Sequence, residues 1–141
     1  MQKTYLCIDL KSFYASVECV ELGLDPFEVN LVVADPTRGG GAITLAATPA
    51  IKKLGVSSRG RIFEIDPKIE YMITPPRMHL YMEYSCKVYK VFLEFIAKED
   101  IHVYSIDESF LDVTSYLKLY QVSAKNLAKK ILDRTYEKTG L

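Results

Sequence analysis

The sequence is poor in the residues that build sulfur or imidazole sites. Its 141 residues include three cysteines and two histidines. Cys7, Cys19 and Cys86 show no CxxC spacing and form no cluster with either histidine. This pattern is typical of a protein in a reducing compartment, so we expect reduced core thiols in a cytoplasmic protein. His79 and His102 lie in apolar, aromatic-rich segments, which favours packing over metal binding for both.

A signal peptide and an apolar run of the ~18 residues needed to span a membrane are also missing, so we expect no membrane partner. The 18 basic and 18 acidic residues give a formal net charge of zero. Their distribution is uneven, because residues 36–63 contain five basic residues and no acidic one, and residues 117–138 contain six basic and two acidic residues. Such islands are either solvated faces or phosphate-facing surfaces.

Two apolar runs flank a pair of adjacent carboxylates in the last third of the chain. Residues 101–106 and 110–113 are rich in β-forming residues, and only Asp107, Glu108 and Ser109 separate them. This spacing predicts a β-hairpin with the acids at the rim of a sheet. Adjacent carboxylates repel each other, whereas a divalent cation such as Mg²⁺ binds carboxylate oxygens. The pair alone is compatible with a solvated turn or with a metal site.

A third carboxylate follows the first predicted strand. The apolar run over residues 4–8 ends at Asp9, and Ser12 is the expected N-cap of a helix over residues 13–22. Asp9 therefore stands at the end of a strand. If this strand pairs with the hairpin, three carboxylates meet at one sheet edge, which is the arrangement that two-metal phosphoryl chemistry needs.

The remaining pattern predicts alternating strands and helices. The order of elements fits a ferredoxin-like domain with one inserted lobe. Ser123 is the expected N-cap of the last helix. We expect strands over residues 30–34, 42–47 and 69–73, a short helix over 49–54, and longer helices over 78–98 and 124–138.

Three segments resemble motifs of the Y-family translesion DNA polymerases, in the same order. Residues 7–18 (CIDLKSFYASVE) are similar to the opening motif of the family. Residues 45–56 (LAATPAIKKLGV) resemble the fingers motif, and residues 104–112 (YSIDESFLD) resemble the central catalytic motif. The subgroup that the chain resembles most is UmuC, also described as ImpB/MucB/SamB.

The resemblance implies a fold and a domain organisation. The expected fold class is α+β, with a ferredoxin-like polymerase palm over residues 1–11 and 76–141 and an inserted small fingers lobe over residues 12–75. The later motif of the family, the thumb and the little-finger domain have no counterpart in these residues. We therefore expect an N-terminal fragment of a longer polymerase, with weak or no activity alone and an unpaired sheet edge that allows edge-to-edge dimers.

The resemblance also implies an activity. It is error-prone translesion DNA synthesis in DNA repair and the SOS response, by transfer of a nucleotide from a dNTP to a primer 3′-hydroxyl with two Mg²⁺ ions. The implied partners are primer-template DNA, the dNTP and a sliding clamp, the last through regions outside this chain. The implied location is the cytoplasm.

Five residues carry the implied catalytic site. Asp9, Asp107 and Glu108 match the metal-binding acids of the family, and the main-chain carbonyl of Leu10 adds a further metal ligand. Tyr14 matches the steric gate, the aromatic residue that packs under the deoxyribose and excludes a 2′-hydroxyl.

Other matches concern the nucleotide. Phe13 corresponds to a sugar contact and Lys52 to a basic residue that binds the triphosphate. Lys11 stands where some members carry an acid, and its ammonium group can also reach phosphate. Pro49 stands where many members have a triphosphate-binding Tyr, so that hydrogen bond is missing or comes from elsewhere. Asp112 has no ligand role in the family, and we expect it to be structural.

Two alternatives remain open at this level. The first is a non-catalytic palm remnant that binds nucleotide or protein, and the presence of all three acids speaks against it. The second is a nucleotidyl cyclase, which also uses a palm-like sheet and two-metal acids but needs no DNA. Tyr14 and the basic segment over residues 36–63 favour the polymerase.

Overall fold

The computed structural model describes residues 2–141, which divide into two compact units. The first unit comprises the residues up to 10 together with 82–141, and the second comprises residues 11–81. No helix in the described part of the chain is both long and apolar enough to cross a bilayer. The elements in chain order are β1 (Tyr5–Asp9), α1 (Phe13–Leu22), β2 (Leu31–Val33), β3 (Ala46–Ala47), α2 (Pro49–Lys52), β4 (Met72–Thr74), α3 (Met78–Leu93), β5 (Ile101–Val103), β6 (Glu108–Asp112), α4 (Thr114–Tyr120) and α5 (Ala124–Thr139).

The first unit is built on an antiparallel three-stranded sheet in the order β1-β6-β5. Alternate residues of β6, Ser109 and Leu111, are buried, as the two-residue period of a strand requires. Side chains from β1, β6, α3 and α5 form one core. Its buried members are Ile8, Val88, Phe92, Ile96, Leu111, Val113, Leu127 and Ile131.

Helix α5 confirms the predicted last helix. The side chain of Ser123 accepts a hydrogen bond from the Asn126 amide at 3.1 Å, as an N-cap does. The helix ends where Gly140 adopts a left-handed conformation and its amide bonds to the carbonyl of Tyr136 at 2.7 Å. Helix α4 was not expected. It follows β6 directly, because the Asp112 carboxylate accepts the Thr114 amide at 3.1 Å.

The second unit has its own three-stranded sheet, in the order β3-β2-β4, with β2 antiparallel to β3 and parallel to β4. Helix α2 starts with Pro49 after the N-cap Thr48, whose hydroxyl also donates to the Val29 carbonyl at 2.7 Å. Thr48 thus joins the start of this helix to the entrance of β2. Val32, Ala47, Ile51 and Ile65 form the core beneath.

Several sequence-based boundaries were wrong. The strand expected over residues 42–47 pairs only at 46–47, and Ile43 instead makes an isolated bridge with Arg61. The helix expected over 78–98 ends at Leu93. The strand expected over 69–73 is Met72–Thr74. Where a strand or helix ends depends on its pairing and packing partners in the fold. The apolar periodicity of the sequence does not reveal these partners.

The expected cap of α1 was also wrong. Ser12 precedes the helix, but its φ is +53° and ψ +38°, and its side chain makes no capping hydrogen bond. A left-handed conformation is costly for a residue other than Gly. A conformational outlier therefore lies three residues after Asp9 and two before Tyr14.

The expectation of core thiols was only partly right. Cys19 is fully buried, and burial raises the pKa of its thiol to about 11. Cys7 and Cys86 are exposed, which contradicts the expectation. His79 and His102 are exposed, and the ring of His102 lies 6.5 Å from that of Phe110, in line with the expected packing of this residue.

Candidate active site

The pairing of β1 with β6 brings the acidic segments together. Asp9 is the register partner of Glu108, at the ends of adjacent antiparallel strands. Directly opposed residues of such strands project to the same face of the sheet. One step further along, the Leu10 amide donates to the main-chain carbonyl of Asp107 at 2.9 Å. The backbone therefore sets Asp9, Asp107 and Glu108 around one end of the sheet.

The turn before β6 differs from the expected one. Its residues are Tyr104–Asp107, since the amides of Tyr104 and Ser105 both donate to the Glu108 carbonyl, at 3.0 and 3.1 Å. Asp107 lies in this turn and Glu108 opens the strand, whereas both had been expected in a turn over residues 107–109. Asp107 is thus held by turn geometry and Glu108 by the sheet.

Two serines fix the turn. The Ser105 hydroxyl donates to the Asp107 carboxylate at 2.9 Å. The Ser85 hydroxyl, on α3, donates to the Ile106 carbonyl at 2.6 Å. Sequence reasoning missed both. Ser105 could have been noticed from its spacing to Asp107, but only the fold brings Ser85 to the turn.

The acid side chains are accessible to solvent. Asp9 is exposed, and Asp107 and Glu108 are half-buried. Among residues 2–141 no three His, Cys, Asp or Glu side chains are gathered closely enough to hold a metal ion. Like charges repel, so three carboxylates converge only when a cation compensates them. The donor set, all oxygen, is the one that Mg²⁺ prefers.

A cavity of about 210 Å³ adjoins Asp107 on the core side of the first unit. Its walls are mostly apolar and include Ile8, Val88 and Phe92. A triphosphate requires cationic or amide donors, so this cavity does not suit a nucleotide.

In the second unit, Tyr14 lies in the first turn of α1 and is half-buried. Its ring stacks on that of Tyr81, with centroids 4.4 Å apart and planes inclined by 12°. Phe13 lies beside it, 5.9 Å away, but is only 3 % exposed. Tyr14 is therefore the aromatic residue of this segment with surface available to a ligand.

Tyr81 belongs to a buried polar network that sequence reasoning missed. Glu18, on α1, is completely buried and accepts hydrogen bonds from Arg77 and from the Tyr81 hydroxyl, the latter at 2.7 Å. Burial, and then this hydrogen bond, raise the pKa of Tyr81. The hydrogen bond to Glu18 raises the pKa of Arg77. The sequence carries no clear signal of it, because α1 also contains Glu21 and only the fold shows that Glu18 is buried.

Lys52 and Lys11 also belong to the second unit. Lys52 is the last residue of α2 and is half-buried, and Lys11 is exposed in the turn before α1. Pro49 has a local explanation, since the first position of a helix needs no amide donor. Asp112 makes the hydrogen bond to Thr114, which lowers the pKa of its carboxyl group. This structural role agrees with the expectation.

Comparison with known proteins identifies the family. A profile described as the impB/mucB/samB family matches residues 8–141. The chain belongs to this family.

Three similar proteins add detail. A Bacillus subtilis (strain 168) protein named for UV-damage repair, UvrX, is 40 % identical over 143 residues, covering 99 % of this chain and 32 % of UvrX. DNA polymerase IV 2 of the same strain is 34 % identical, over 99 % of this chain and 33 % of that protein. A solved Y-family DNA polymerase chimera of Dbh and Dpo4 has a TM-score of 0.78 and 27 % identity over 95 % of this chain and 39 % of its own.

These likenesses confirm the α+β polymerase-palm fold that the motifs implied. The second and third of these proteins are named as DNA polymerases. The chain spans about a third of the length of the two relatives.

Proposed function

We propose that this chain carries the palm and fingers of a translesion DNA polymerase, which joins a dNTP to a primer 3′-hydroxyl. The observation that supports this most is the register of β1 and β6, which pairs Asp9 with Glu108 and sets Asp107 opposite Leu10. We assign the palm to the first unit and the fingers to the second, although the units meet at residues 81 and 82 and the expected boundary was at 75 and 76.

We assign a pair of Mg²⁺ ions to the acid end of the first sheet, because carboxylate oxygens are the ligands that Mg²⁺ prefers. Asp9, Asp107 and Glu108 would hold them through carboxylate oxygens, with the main-chain carbonyl of Leu10 as a further ligand. These residues would hold the ions where they could lower the pKa of the primer hydroxyl and stabilise charge on the phosphates. The chain itself contributes the placement of these acids: β-pairing holds Asp9 and Glu108, and the Ser105 hydrogen bond orients Asp107.

We assign sugar selection to Tyr14. Its ring is partly exposed and is backed by Tyr81. A rigid aromatic surface under the sugar tolerates a deoxyribose and clashes with a 2′-hydroxyl. Phe13 presents little surface, so we expect its sugar contact to be minor.

Basic residues of the second unit supply the phosphate contacts in this proposal. Lys52 is held at the end of α2, and Lys11 is exposed before α1. With Pro49 in place of a Tyr, the triphosphate depends more on the ammonium groups, which bind phosphate as point charges.

The wider assignments follow the family. We propose primer-template DNA as the substrate, a cytoplasmic location, a role in SOS damage tolerance like that of UmuC, and a sliding clamp as a partner of the complete protein. The outer edge of β1 carries no strand among residues 2–141. Unpaired edges invite pairing, so the isolated chain should dimerise through this edge.

Primer extension by the full-length protein tests the proposal. Asp107→Ala and Glu108→Ala should each lower single-nucleotide incorporation by about a thousandfold or more, since a preorganised charge site is lost. Glu94→Gln, in a surface ion pair between the residue after α3 and Arg134 on α5, is the matched control and should leave the rate unchanged.

Near-normal extension by either acid variant would refute the two-metal assignment. Wild-type protein that binds nucleotide but never extends a primer would favour the non-catalytic remnant.

A further inference from the structure

Glu18 is a buried acid that the proposed mechanism does not use. Its side chain is 0 % exposed, whereas that of Arg77 is 47 % exposed. The Arg77 Nε donates to both Glu18 carboxylate oxygens at 3.1 Å, and the Arg77 Nη2 donates to one of them. Buried ion pairs are seldom worth more to stability than apolar residues of the same shape. Stability alone therefore does not explain this acid.

The network ends at the proposed gate. Tyr81, fully buried, donates its hydroxyl to Glu18 Oε2 at 2.7 Å and stacks its ring on Tyr14 at 4.4 Å. A hydrogen bond at the hydroxyl end fixes the direction of the Tyr81 ring. Stacked rings share their inclination, here within 12°. The orientation of Tyr14 is therefore tied to the carboxylate of Glu18.

The helices supply the frame for this network. Arg77 immediately precedes α3 and Tyr81 lies one turn later, with the Tyr81 amide bonded to the Arg77 carbonyl at 3.1 Å. Residues four apart lie on one helix face, so both donors point at the same acceptor. Glu18 in turn lies one turn after Tyr14 on α1. The pair Arg77 and Tyr81 and the pair Tyr14 and Glu18, each at helical spacing, thus contact each other across the two helices.

We propose that Glu18, acting through Arg77 and Tyr81, is a positioning residue that sets the angle of the Tyr14 ring and thereby the discrimination between dNTP and rNTP. The inference rests on the proposed function of Tyr14. The raised pKa of Tyr81 keeps its hydroxyl protonated as the donor to Glu18, and the raised pKa of Arg77 keeps its guanidinium charged.

The test measures the ratio of dNTP to rNTP incorporation by the full-length protein. Glu18→Gln keeps the shape of the side chain and removes its charge. Tyr81→Phe keeps the stacked ring and removes the hydroxyl. We expect each to lower the ratio by about tenfold, the effect of one charge-assisted hydrogen bond. Their combination should lower it no further, because both break one link.

Tyr14→Ala serves as the reference for the gate itself. It should lower the ratio more than either variant, and in its background Glu18→Gln should have no effect. An unchanged ratio in Tyr14→Ala would refute the gate assignment. If the dNTP to rNTP ratio changes in Tyr14→Ala but not in Tyr81→Phe, only the role of Glu18 is refuted.

A second readout reports the ring directly. Fluorotyrosine incorporation gives Tyr14 a fluorine signal, assigned by its absence in Tyr14→Phe. Glu18→Gln should shift and broaden this signal, because the stacking changes, and Glu94→Gln should not. A lower melting temperature with an unmoved Tyr14 signal would show a purely structural role. If Glu18→Gln does not fold, Tyr81→Phe decides both measurements.

Discussion

The two units hold their key side chains in opposite ways. In the first unit, Asp9, Asp107 and Glu108 are accessible, and strand register and a turn place them through the backbone. In the second, Tyr14 stacks on Tyr81, whose hydroxyl donates to the buried carboxylate of Glu18. The proposed metal ligands thus reach solvent, whereas the proposed positioning residue Glu18 is shielded from it.

The largest effect on stability should come from breaking the buried network. Arg77→Ala leaves Glu18 as a buried charge without its cation, which should lower the free energy of unfolding by about 3 kcal/mol, the lower end for such pairs because Arg77 is half exposed. The measurement is urea denaturation of wild type and variant.

Arg134→Ala is the matched control, since it removes a cation from the surface pair with Glu94. Surface pairs contribute little, so this variant should unfold close to wild type. Equal losses for the two variants would contradict the contrast between the units.

Alkaline pH should weaken the same network more gently. Because the pKa of Tyr81 is raised in the folded protein, its contribution is complete below the ordinary Tyr value of about 10 and is lost as the pH rises further. Cys19, with a pKa of about 11, contributes with the same sign. Tyr81→Phe should therefore lose less stability than wild type between pH 9 and pH 11.

Thermal unfolding at several pH values checks this expectation, with Cys19→Ala as the background to remove the thiol contribution. Parallel pH profiles of wild type and Tyr81→Phe would mean that the Tyr81 hydroxyl does not gain its proton affinity from folding.

The smallest effect concerns Ser12, which adopts a left-handed conformation between Asp9 and Tyr14. Ser12→Gly removes the steric cost but adds chain entropy in the unfolded state, so we expect a gain of about 0.5 kcal/mol. Gln121→Gly, at the other non-glycine residue with positive φ in the described chain, should gain as much.

We expect only Ser12→Gly to reduce nucleotide incorporation as well, because it loosens the turn between Asp9 and helix α1, which carries Tyr14. Reduced incorporation in both variants would remove any special role for Ser12.

Much of the fold was predictable from the sequence. Apolar runs with clear ends marked β1, α1 and α5. The acids at Asp9 and at 107–108 stood out because they follow or separate predicted strands within segments that resemble family motifs. The hairpin turn lies at residues 104–107 and not at 107–109 as expected. The apolar pattern of the sequence does not show which carbonyl each backbone amide bonds to. Helix α4 was missed for lack of strong periodicity.

The Glu18 network could not be predicted from the sequence. Glu18 lies 59 residues before Arg77 and 63 residues before Tyr81 along the chain. Glu18 is one of two acids on α1, and an acid on a helix is usually solvated. Only the folded second unit shows Glu18 buried with two donors. Long-range polar contacts of this kind leave no periodic signal.

Single-turnover incorporation of one dNTP and the matching rNTP by the full-length protein tests the contrast most directly. Asp107→Asn should slow both reactions by about a thousandfold or more and leave their ratio unchanged, because the acids act on phosphate and hydroxyl chemistry common to both nucleotides. Glu18→Gln should change the ratio and leave dNTP incorporation near normal. We assign the chemical step to the three acids and the choice between dNTP and rNTP to the Glu18 network. A changed ratio of dNTP to rNTP incorporation in Asp107→Asn, or an unchanged ratio in Glu18→Gln, would contradict this assignment.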